Sequence, residues 1–237
     1  MSSQSILSQA TDTTFDQLIE DIAVDLAKYK AEGKKIFASS SFQPQSVVLL
    51  DIISRVDNTI PVYFLDTNYH FPETIAFRDE LAEKLGLNII DIKSKIPVKD
   101  QVDENGEPLH IHQSDRCCHI NKVEPLEDIL KENDVWINGI RKGQSAVRAQ
   151  MQKEEEGKHG VLRYHPILDW DSKMVFKYIN ERKLPLHSLI AKGYFSVGCL
   201  PCTQKADPSK PLWSDDRSGR WAGKGKTECG LHTTLGK

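Results

Sequence analysis

The sequence predicts an α/β fold with a doubly wound, mostly parallel sheet and a flexible C-terminal tail. Short apolar segments of strand length alternate with longer amphipathic segments of helix length along most of the 237 residues. Residues 206–237 instead carry several glycines that would let the chain swing. We therefore divide the chain into a domain at 1–205, with a helical N-terminal extension over about 1–33, and a mobile tail at 206–237.

The first half of the chain supplies the clearest alternation. The first helix is predicted to open at Thr14 and to end at Gly33, with apolar side chains spaced along one face. The elements predicted next are a strand at 35–38, a helix through Val47 and Ile53, a strand at 60–65, a helix at 72–85 and a strand at 88–92. Pro72 begins the helix at 72–85 and Gly86 follows it, which are the positions that proline and glycine favour at helix termini.

Residues 94–116 are predicted as a long polar connection, of a length at which loops are usually functional or mobile. The elements predicted after it are a helix from about His119 to Lys131, a strand at Val135–Asn138, a solvated turn at Glu154–Glu156, a strand at Val161–Ile167 and a helix at Ser172–Arg182. Strand–helix alternation of this kind implies a parallel sheet, with ligands bound at the carboxyl ends of the strands.

Composition and charge narrow the function. The chain is 39% hydrophobic and 27% charged, as globular proteins are, and its formal net charge of -3 argues against broad nucleic-acid binding. Residues 1–10 lack the apolar core of a signal peptide, and no segment approaches membrane-spanning length. We therefore expect a cytoplasmic protein, in which paired cysteines bind metal or do redox chemistry more often than they form structural disulfides.

The five cysteines form two pairs and one single residue. Cys117 and Cys118 are adjacent, whereas two residues separate Cys199 from Cys202. Adjacent cysteines rarely form a disulfide and point in different directions, which suits two corners of a cluster. The second pair has the spacing of zinc knuckles, iron–sulfur ligands and thioredoxin-like redox pairs. Together the pairs favour a [4Fe–4S] cluster over zinc, and zinc over free thiols.

Cys229 is then the thiol left without a partner, and it lies on the tail. It is a candidate nucleophile or an incidental surface cysteine. Arg217 and Arg220 precede it, and such cations favour a thiolate and can hold phosphate or sulfate oxygens. His232 lies three residues beyond Cys229, where it would orient or protonate a reacting group or cap the terminus.

Two segments at strand ends are suited to an anion. Ser39, Ser40 and Ser41 begin a polar turn between a strand and a helix, where hydroxyls and backbone N–H groups hold phosphate-type groups, the alternative being a capped loop. Residues 139–148 follow another strand and carry several cations, the alternative being a surface helix. We expect the two segments to share one anionic ligand.

In combination, these motifs resemble the assimilatory adenylylsulfate reductases, the iron–sulfur type within the thioredoxin-dependent adenylylsulfate and phosphoadenylylsulfate reductase family. The matching segments are Cys117-Cys118 with Lys122, Gly139-Ile140-Arg141 with Arg148, and residues 65–67, 71–74, 198–203, 217–221 and 228–232. The similarity covers nearly the whole chain after residue 35.

The resemblance implies an adenine-nucleotide alpha-hydrolase-like fold and a [4Fe–4S] cluster on Cys117, Cys118, Cys199 and Cys202. It implies that Cys229 attacks the sulfur of adenosine 5′-phosphosulfate, that AMP leaves, and that thioredoxin or glutaredoxin releases sulfite from the resulting S-sulfocysteine. The family's substrate-binding positions match Lys122, Arg148, Arg217 and Arg220, with adenine contacts on the backbone of Leu65 and Gly139. The resemblance also suggests a homo-oligomer.

One departure concerns the turn after the first strand. Many cluster-bearing members have glycine and acidic residues there, whereas this chain has the neutral segment 42–45, which would repel a 3′-phosphate less. Phosphoadenylylsulfate is therefore an additional or alternative substrate, although the four paired cysteines favour adenylylsulfate.

Two other functions compete. ATP-pyrophosphatase-type enzymes, including iron–sulfur tRNA thiolases, share the fold but use a Ser-Gly-Gly-x-Asp-Ser turn, whose glycines and aspartate are missing from residues 39–44. An acidic chain also fits tRNA poorly. A non-enzymatic iron–sulfur redox sensor, with Cys229 as a regulatory thiol, would leave the matched cations unexplained.

Overall fold

A computed structural model describes residues 15–210 and 217–236. The strands within those ranges are β1 Ile36–Ser40, β2 Val62–Leu65, β3 Ile89–Ile92, β4 Val135–Asn138, β5 Glu154–Glu156 and β6 Leu162–Tyr164. They form one sheet in the order β3-β2-β1-β4-β6-β5. Neighbouring strands are parallel except for β5, which pairs antiparallel with β6. The predicted mostly parallel α/β sheet is confirmed.

Helices cover both faces of this sheet. They are α1 Phe15–Ala31, α2 Val47–Asp57, α3 Pro72–Leu85, α4 Leu109–His112, α5 Ser114–Cys118, α6 Glu124–Leu130, α7 Ser172–Glu181 and α8 Leu231–Thr234. The main hydrophobic core joins one face of the sheet to α1, α2, α3 and α7. A smaller core joins the other face to α6 and α8. Across the described ranges, no helix combines the length and apolarity needed to span a membrane.

Local sequence explains most of these elements. In β1, Ile36, Phe37 and Ala38 are all buried, as expected for a central parallel strand covered on both faces. The helix α3 ends at Gly86, which adopts the left-handed conformation with φ 62°. The helix α7 begins after Asp171, whose carboxylate accepts a 2.7 Å hydrogen bond from the Met174 N–H.

The prediction of a solvated turn at Glu154–Glu156 is wrong, because these residues form the edge strand β5. Side chains from α1 and from the adjacent strand β6 hold their carboxylates. Tyr29 donates a hydrogen bond to Glu154 at 2.5 Å, and Glu155 forms a 2.8 Å ion pair with Arg163. Three consecutive glutamates have little intrinsic preference for a strand, so their structure depends on these neighbours.

The prediction of an unstructured connection at 94–116 is also wrong. The segment contains α4 and the start of α5, and Leu109 is only 1% exposed. The following helix therefore begins at Ser114, before the predicted His119. Between α5 and α6, residues His119–Val123 form a π-helical turn that carries Lys122. Such turns are rare and frequently occur at functional sites.

Smaller differences concern element ends. β1 extends through Ser40, so Ser39 and Ser40 lie in the strand and only Ser41 lies in the turn. β6 ends at Tyr164, before the predicted end of that strand at Ile167. Thr14, predicted as a helix cap, lies outside the described residues.

The strand order reverses between β1 and β4. The strands β2 and β3 lie on one side of β1, and β4 and β6 lie on the other. Loops leaving the carboxyl ends of β1 and β4 therefore diverge and open a crevice, which is where doubly wound sheets bind ligands.

Candidate active site

A cleft of about 1030 Å³, open to solvent, lies at the carboxyl ends of β1, β2 and β4. It is lined by every residue that sequence analysis assigned to substrate binding or catalysis, namely Ser39, Ser40, Ser41, Leu65, Lys122, Gly139, Arg148, Arg217, Arg220, Cys229 and His232. The fold thus brings together residues from distant segments of the chain. Their chemical roles remain predictions.

The serines occupy the floor of this cleft. Ser39 Oγ accepts a 2.8 Å hydrogen bond from Trp136 Nε1, and Ser40 Oγ accepts one of 3.1 Å from the Phe42 N–H. Since both hydroxyls act as acceptors here, each can donate its own proton to a ligand. Ser46, which precedes α2, also lines the cleft, so the N-terminal end of α2 opens onto it. Such helix ends favour anions.

Lys122, Arg148, Arg217 and Arg220 make the cleft strongly cationic. Burial lowers the pKa of Arg217 to about 9, and the charges of Arg148 and Arg220 act in the same direction. Burial also opposes the charge of Lys122, but the sulfurs of nearby cysteines, that of Cys199 first among them, raise its pKa above the usual value. A buried guanidinium whose pKa is depressed by neighbouring cations favours an anionic ligand beside it.

Cys229 is half-buried and packs against the buried residues Cys199, Cys202 and Trp221. Burial raises the pKa of its thiol, but the Lys122 ammonium, the Leu231 backbone N–H and the Arg148 guanidinium together bring that pKa below the usual value. Because the thiolate is the nucleophilic form of cysteine, this site favours attack by Cys229 on a bound electrophile.

His232 also faces the cleft, and its ring stacks on Trp136 with centroids 5.5 Å apart. Burial, together with the Arg148 and Arg163 charges, holds its pKa well below the usual value, so the imidazole is neutral near pH 7. Its Nδ1 atom has no hydrogen-bond partner among the described residues. A neutral ring of this kind can orient a ligand through a hydrogen bond without supplying charge.

The tail segment that carries Arg220 is anchored to the loop of the second cysteine pair. Thr203 and Arg220 form an antiparallel bridge, and the Gln204 N–H donates a 2.8 Å hydrogen bond to the Gly219 carbonyl. A Cβ atom on Gly219 would lie 2.4 Å from the Gln204 carbonyl oxygen, so glycine permits a close approach here. The described part of the tail lies against the domain, and the mobility of residues 206–237 remains a prediction.

Neighbouring residues fix the guanidinium of Arg220. Its Cζ atom lies 4.4 Å from the centre of the Trp221 ring, and Nη1 donates a 3.1 Å hydrogen bond to the Val197 carbonyl. A Cβ atom on Gly198 would lie 2.2 Å from Nη2, so only glycine leaves room for the guanidinium. Arg220 is therefore preorganised at the wall of the cleft.

Sequence reasoning missed Asn138, which lines the cleft, and Glu228, which precedes Cys229. Asn138 ends β4 opposite Ser39, is 2% exposed and lines the cleft, and its amide has no partner among residues 15–210 and 217–236. Asn138 could have been found from the sequence, because it is a polar residue at the carboxyl end of an apolar strand. Glu228 forms an ion pair with Arg148, and its position beside Cys229 did not reveal that partner.

A second, smaller cavity is lined by Cys117, Cys118, Cys199 and Cys202. Lys122, Cys199 and Trp221 line both cavities, so the two share a wall. The cysteines, all of which lie in the described ranges, form no disulfide.

The donors around this second cavity fit an iron–sulfur cluster. Thr67 Oγ1 lies 3.3 Å from Cys199 Sγ, and Asn121 Nδ2 donates to Cys117 Sγ at 3.7 Å, as expected for polar groups that orient metal-bound thiolates. Burial raises the pKa of Cys117 to about 11, so this cavity favours the neutral thiol, and a bound cation would stabilise the thiolate.

A single metal ion fits less well. Within the part of the chain that the structure describes, no three His, Cys, Asp or Glu side chains are arranged to hold one ion. A cluster of several irons does not require its ligands to converge on one point, because each cysteine binds a different iron.

Comparison with known proteins gives the family. Residues 35–205 match the phosphoadenosine phosphosulfate reductase domain. The chain is 39% identical to the adenosine 5′-phosphosulfate reductase of Oceanobacillus iheyensis over 210 residues, which cover 87% of this chain and 85% of that one. It is 38% identical to the phosphoadenosine 5′-phosphosulfate reductase of Gloeobacter violaceus over 228 residues, which cover 93% of this chain and 94% of that one.

Solved structures share the fold. The phosphoadenylyl-sulfate reductase of Candida auris, in complex with phosphate, aligns with a TM-score of 0.63 at 23% identity, over 80% of this chain and 96% of that one. An FMN adenylyltransferase of Candida glabrata aligns with a TM-score of 0.55 at 16% identity, over 82% of this chain and 67% of that one. The match over residues 35–205 and the full-length relatives establish that the chain belongs to the phosphoadenosine phosphosulfate reductase domain family.

Proposed function

We propose that this protein reduces adenosine 5′-phosphosulfate to sulfite and AMP in sulfate assimilation. The observation that carries the proposal is the half-buried thiol of Cys229, which faces a cationic cleft at the switch point of the sheet and has a lowered pKa. Relatives named adenosine 5′-phosphosulfate reductase, 39% and 40% identical over most of the chain, support the same reaction.

In the first half-reaction, the Cys229 thiolate attacks the sulfur of the bound substrate. The new S–S bond forms an S-sulfocysteine, the bond from sulfur to the bridging oxygen breaks, and its electron pair leaves with AMP. An anionic nucleophile can approach an anionic substrate only where cations neutralise the latter. Lys122, Arg148, Arg217 and Arg220 supply that charge and also stabilise the negative charge that develops on the departing phosphate.

In the second half-reaction, a dithiol reductant of the thioredoxin or glutaredoxin type regenerates the enzyme. One reductant thiolate attacks Cys229 Sγ, sulfite leaves with the electron pair of the S–S bond, and the second reductant thiol resolves the mixed disulfide. The reductant emerges as a disulfide and Cys229 returns to its thiol form. Since Cys229 is half-buried, the tail has to expose it for this step.

The paired cysteines are proposed to hold a [4Fe–4S] cluster in the second cavity. When bound, the cluster would fix the π-helical turn that carries Lys122 and contribute to the electrostatic field of the cleft. Thiol–disulfide exchange itself transfers the two electrons, so the reaction sequence needs no electron from iron.

Phosphoadenylylsulfate is the second candidate substrate. The neutral side chains of Gln43 and Gln45 line the cleft, where an acidic turn would repel a 3′-phosphate. A relative that this chain matches over 94% of the relative's length carries the name phosphoadenosine 5′-phosphosulfate reductase. Turnover of the two nucleotides under identical conditions decides between them.

Sulfite release from adenylylsulfate with reduced thioredoxin tests the proposed function. The wild-type protein should release sulfite, whereas Cys229→Ser should keep its iron and release none, because only the nucleophile is missing. Absence of sulfite from the iron-loaded wild type, with both nucleotides and with both reductants, would remove the proposal. Turnover by Cys229→Ser would remove the nucleophile assignment.

A further inference from the structure

The residue immediately before the nucleophile forms a buried network with Arg148. Glu228 is 9% exposed, and the Arg148 guanidinium donates from Nε to Oε1 and from Nη2 to Oε2, both at 2.9 Å. Ser145 Oγ donates to Oε1 at 2.8 Å, and Arg217 Nη2 lies 3.8 Å from Oε2. Three side chains from two other segments therefore hold one carboxylate.

This geometry changes the role of Arg148. Its side chain is 7% exposed, and it also donates to Gln144 Oε1. Two of its guanidinium nitrogens, Nε and Nη2, thus already donate to the Glu228 carboxylate. A forked, charge-assisted pair of this kind is among the stronger hydrogen-bonded contacts in proteins and has a defined orientation. Arg148 thus acts on Cys229 through Glu228, in addition to any contact with substrate.

We propose that Glu228 is a positioning residue that holds Cys229 at its place in the cleft through Arg148 and Ser145. Consecutive Cα atoms are about 3.8 Å apart, so a fixed Glu228 carboxylate restricts the position of the adjacent thiol. This inference rests on the proposed function for its catalytic consequence. The anchoring itself is independent of any substrate.

The proposal predicts opposite effects on two reactions of the same thiol. Attack on a bound nucleotide requires a defined geometry, and a misplacement of about 1 Å can lower such a rate about 100-fold. Attack on a small free reagent requires only exposure. Loss of the anchor should therefore slow S-sulfonation of Cys229 by adenylylsulfate and accelerate its alkylation by iodoacetamide.

The experiment compares Glu228→Gln, Ser145→Ala and, as a matched control, Glu132→Gln, which removes an exposed carboxylate elsewhere. S-sulfonation is followed by mass spectrometry in the iron-loaded protein without reductant. Glu228→Gln should be slowed about 100-fold. Ser145→Ala, which removes one hydrogen bond to a charged group, should be slowed about tenfold. Glu132→Gln should match the wild type.

Alkylation by iodoacetamide in the absence of nucleotide separates anchoring from charge. Glu228→Gln removes a negative charge beside Cys229 and would promote its thiolate even without movement. Ser145→Ala removes no charge, so faster alkylation in this variant reports a released tail. We expect about tenfold acceleration in Ser145→Ala and at least as much in Glu228→Gln.

Several results would overturn the proposal. Wild-type S-sulfonation rates in either variant would do so, as would faster alkylation in Glu228→Gln with an unchanged rate in Ser145→Ala. If Glu228→Gln does not fold, judged by its Tm and iron content, Ser145→Ala decides alone. If the wild type itself forms no adduct, the proposed function fails, and the alkylation rates still decide whether Glu228 anchors the tail.

Discussion

Replacing Gly198 with alanine is expected to impair catalysis by displacing Arg220. The new Cβ would lie 2.2 Å from Arg220 Nη2 and 2.5 Å from Cζ, whereas ordinary contact begins at 3.4 Å. The guanidinium must therefore shift by about 1 Å, away from the Trp221 ring and from the Val197 carbonyl. Gly198 has no positive φ, so the side-chain clash is the source of the effect.

The size of the effect follows from the contact that the displaced Arg220 guanidinium would no longer make with the bound nucleotide. A hydrogen bond to a charged group contributes about 1.5–3 kcal/mol, which corresponds to a fall in kcat/KM of about 10- to 100-fold. Steady-state sulfite release over a range of adenylylsulfate concentrations measures this quantity. Iron content and Tm, measured on the same samples, show whether the variant is intact.

Two controls isolate the cause. Gly106→Ala, at a surface glycine with φ 82° and no atom within 4 Å in the described structure, should cost stability and leave kcat/KM unchanged. Because Gly198→Ala acts through Arg220, adding it to Arg220→Ala should cause little further loss. Full additivity of the two substitutions, or wild-type kcat/KM in Gly198→Ala, would refute the reasoning.

Three further predictions concern iron, substrate and pH. Cys202→Ser should lose iron and the brown absorbance, because one of the four proposed ligands is removed. Asn138→Ala should lower kcat/KM about tenfold, since its buried amide faces the cleft without a partner among the described residues. Between about pH 7.5 and about pH 5.5, the wild type should lose about 1.4 kcal/mol of unfolding free energy relative to His187→Gln.

The sign of the pH effect follows from the environment of His187. Burial lowers its pKa to about 4, and its Nδ1 accepts a 3.2 Å hydrogen bond from the Leu189 N–H. The unfolded chain therefore binds a proton first, near pH 6.5, so stability is present above that pH and falls as the pH approaches 4. Equal pH slopes for wild type and variant, measured by urea unfolding, would contradict this assignment.

Clear outcomes also exist for the other two variants. Unchanged brown absorbance in Cys202→Ser would show that the ligand set is wrong. Wild-type kcat/KM in Asn138→Ala would show that its amide is satisfied by water and makes no contact with substrate.

The fold was predictable where hydrophobic periodicity alone determines an element. The buried residues 36–38 of β1 and the buried strand Val135–Asn138 are apolar enough to be recognised as central strands. The edge strand Glu154–Glu156 was not, because its carboxylates are held by Tyr29 in α1 and by Arg163 in the neighbouring strand β6, contacts that form only in the folded chain. The π-helical turn at His119–Val123 has no signature of its own in the sequence.

The sequence predicted which residues lie together in the candidate site, but not every contact among them. Carboxyl ends of parallel strands converge, so polar residues after Ala38 and Asn138 were expected to share a ligand. The pairing of Arg148 with Glu228, 80 residues apart, could not be derived this way. Resemblance assigned Arg148 to substrate, and only the folded chain reveals its second partner.

The central claim is that four cysteines serve the cluster while Cys229 remains available to accept a sulfonyl group. The most direct measurement mixes iron-loaded protein with adenylylsulfate, without reductant, and maps the adduct by peptide mass spectrometry. We predict one SO3 group on the peptide that contains Cys229, and its release as sulfite on addition of reduced thioredoxin. An adduct on Cys117, Cys118, Cys199 or Cys202, or no adduct at all, would contradict the account.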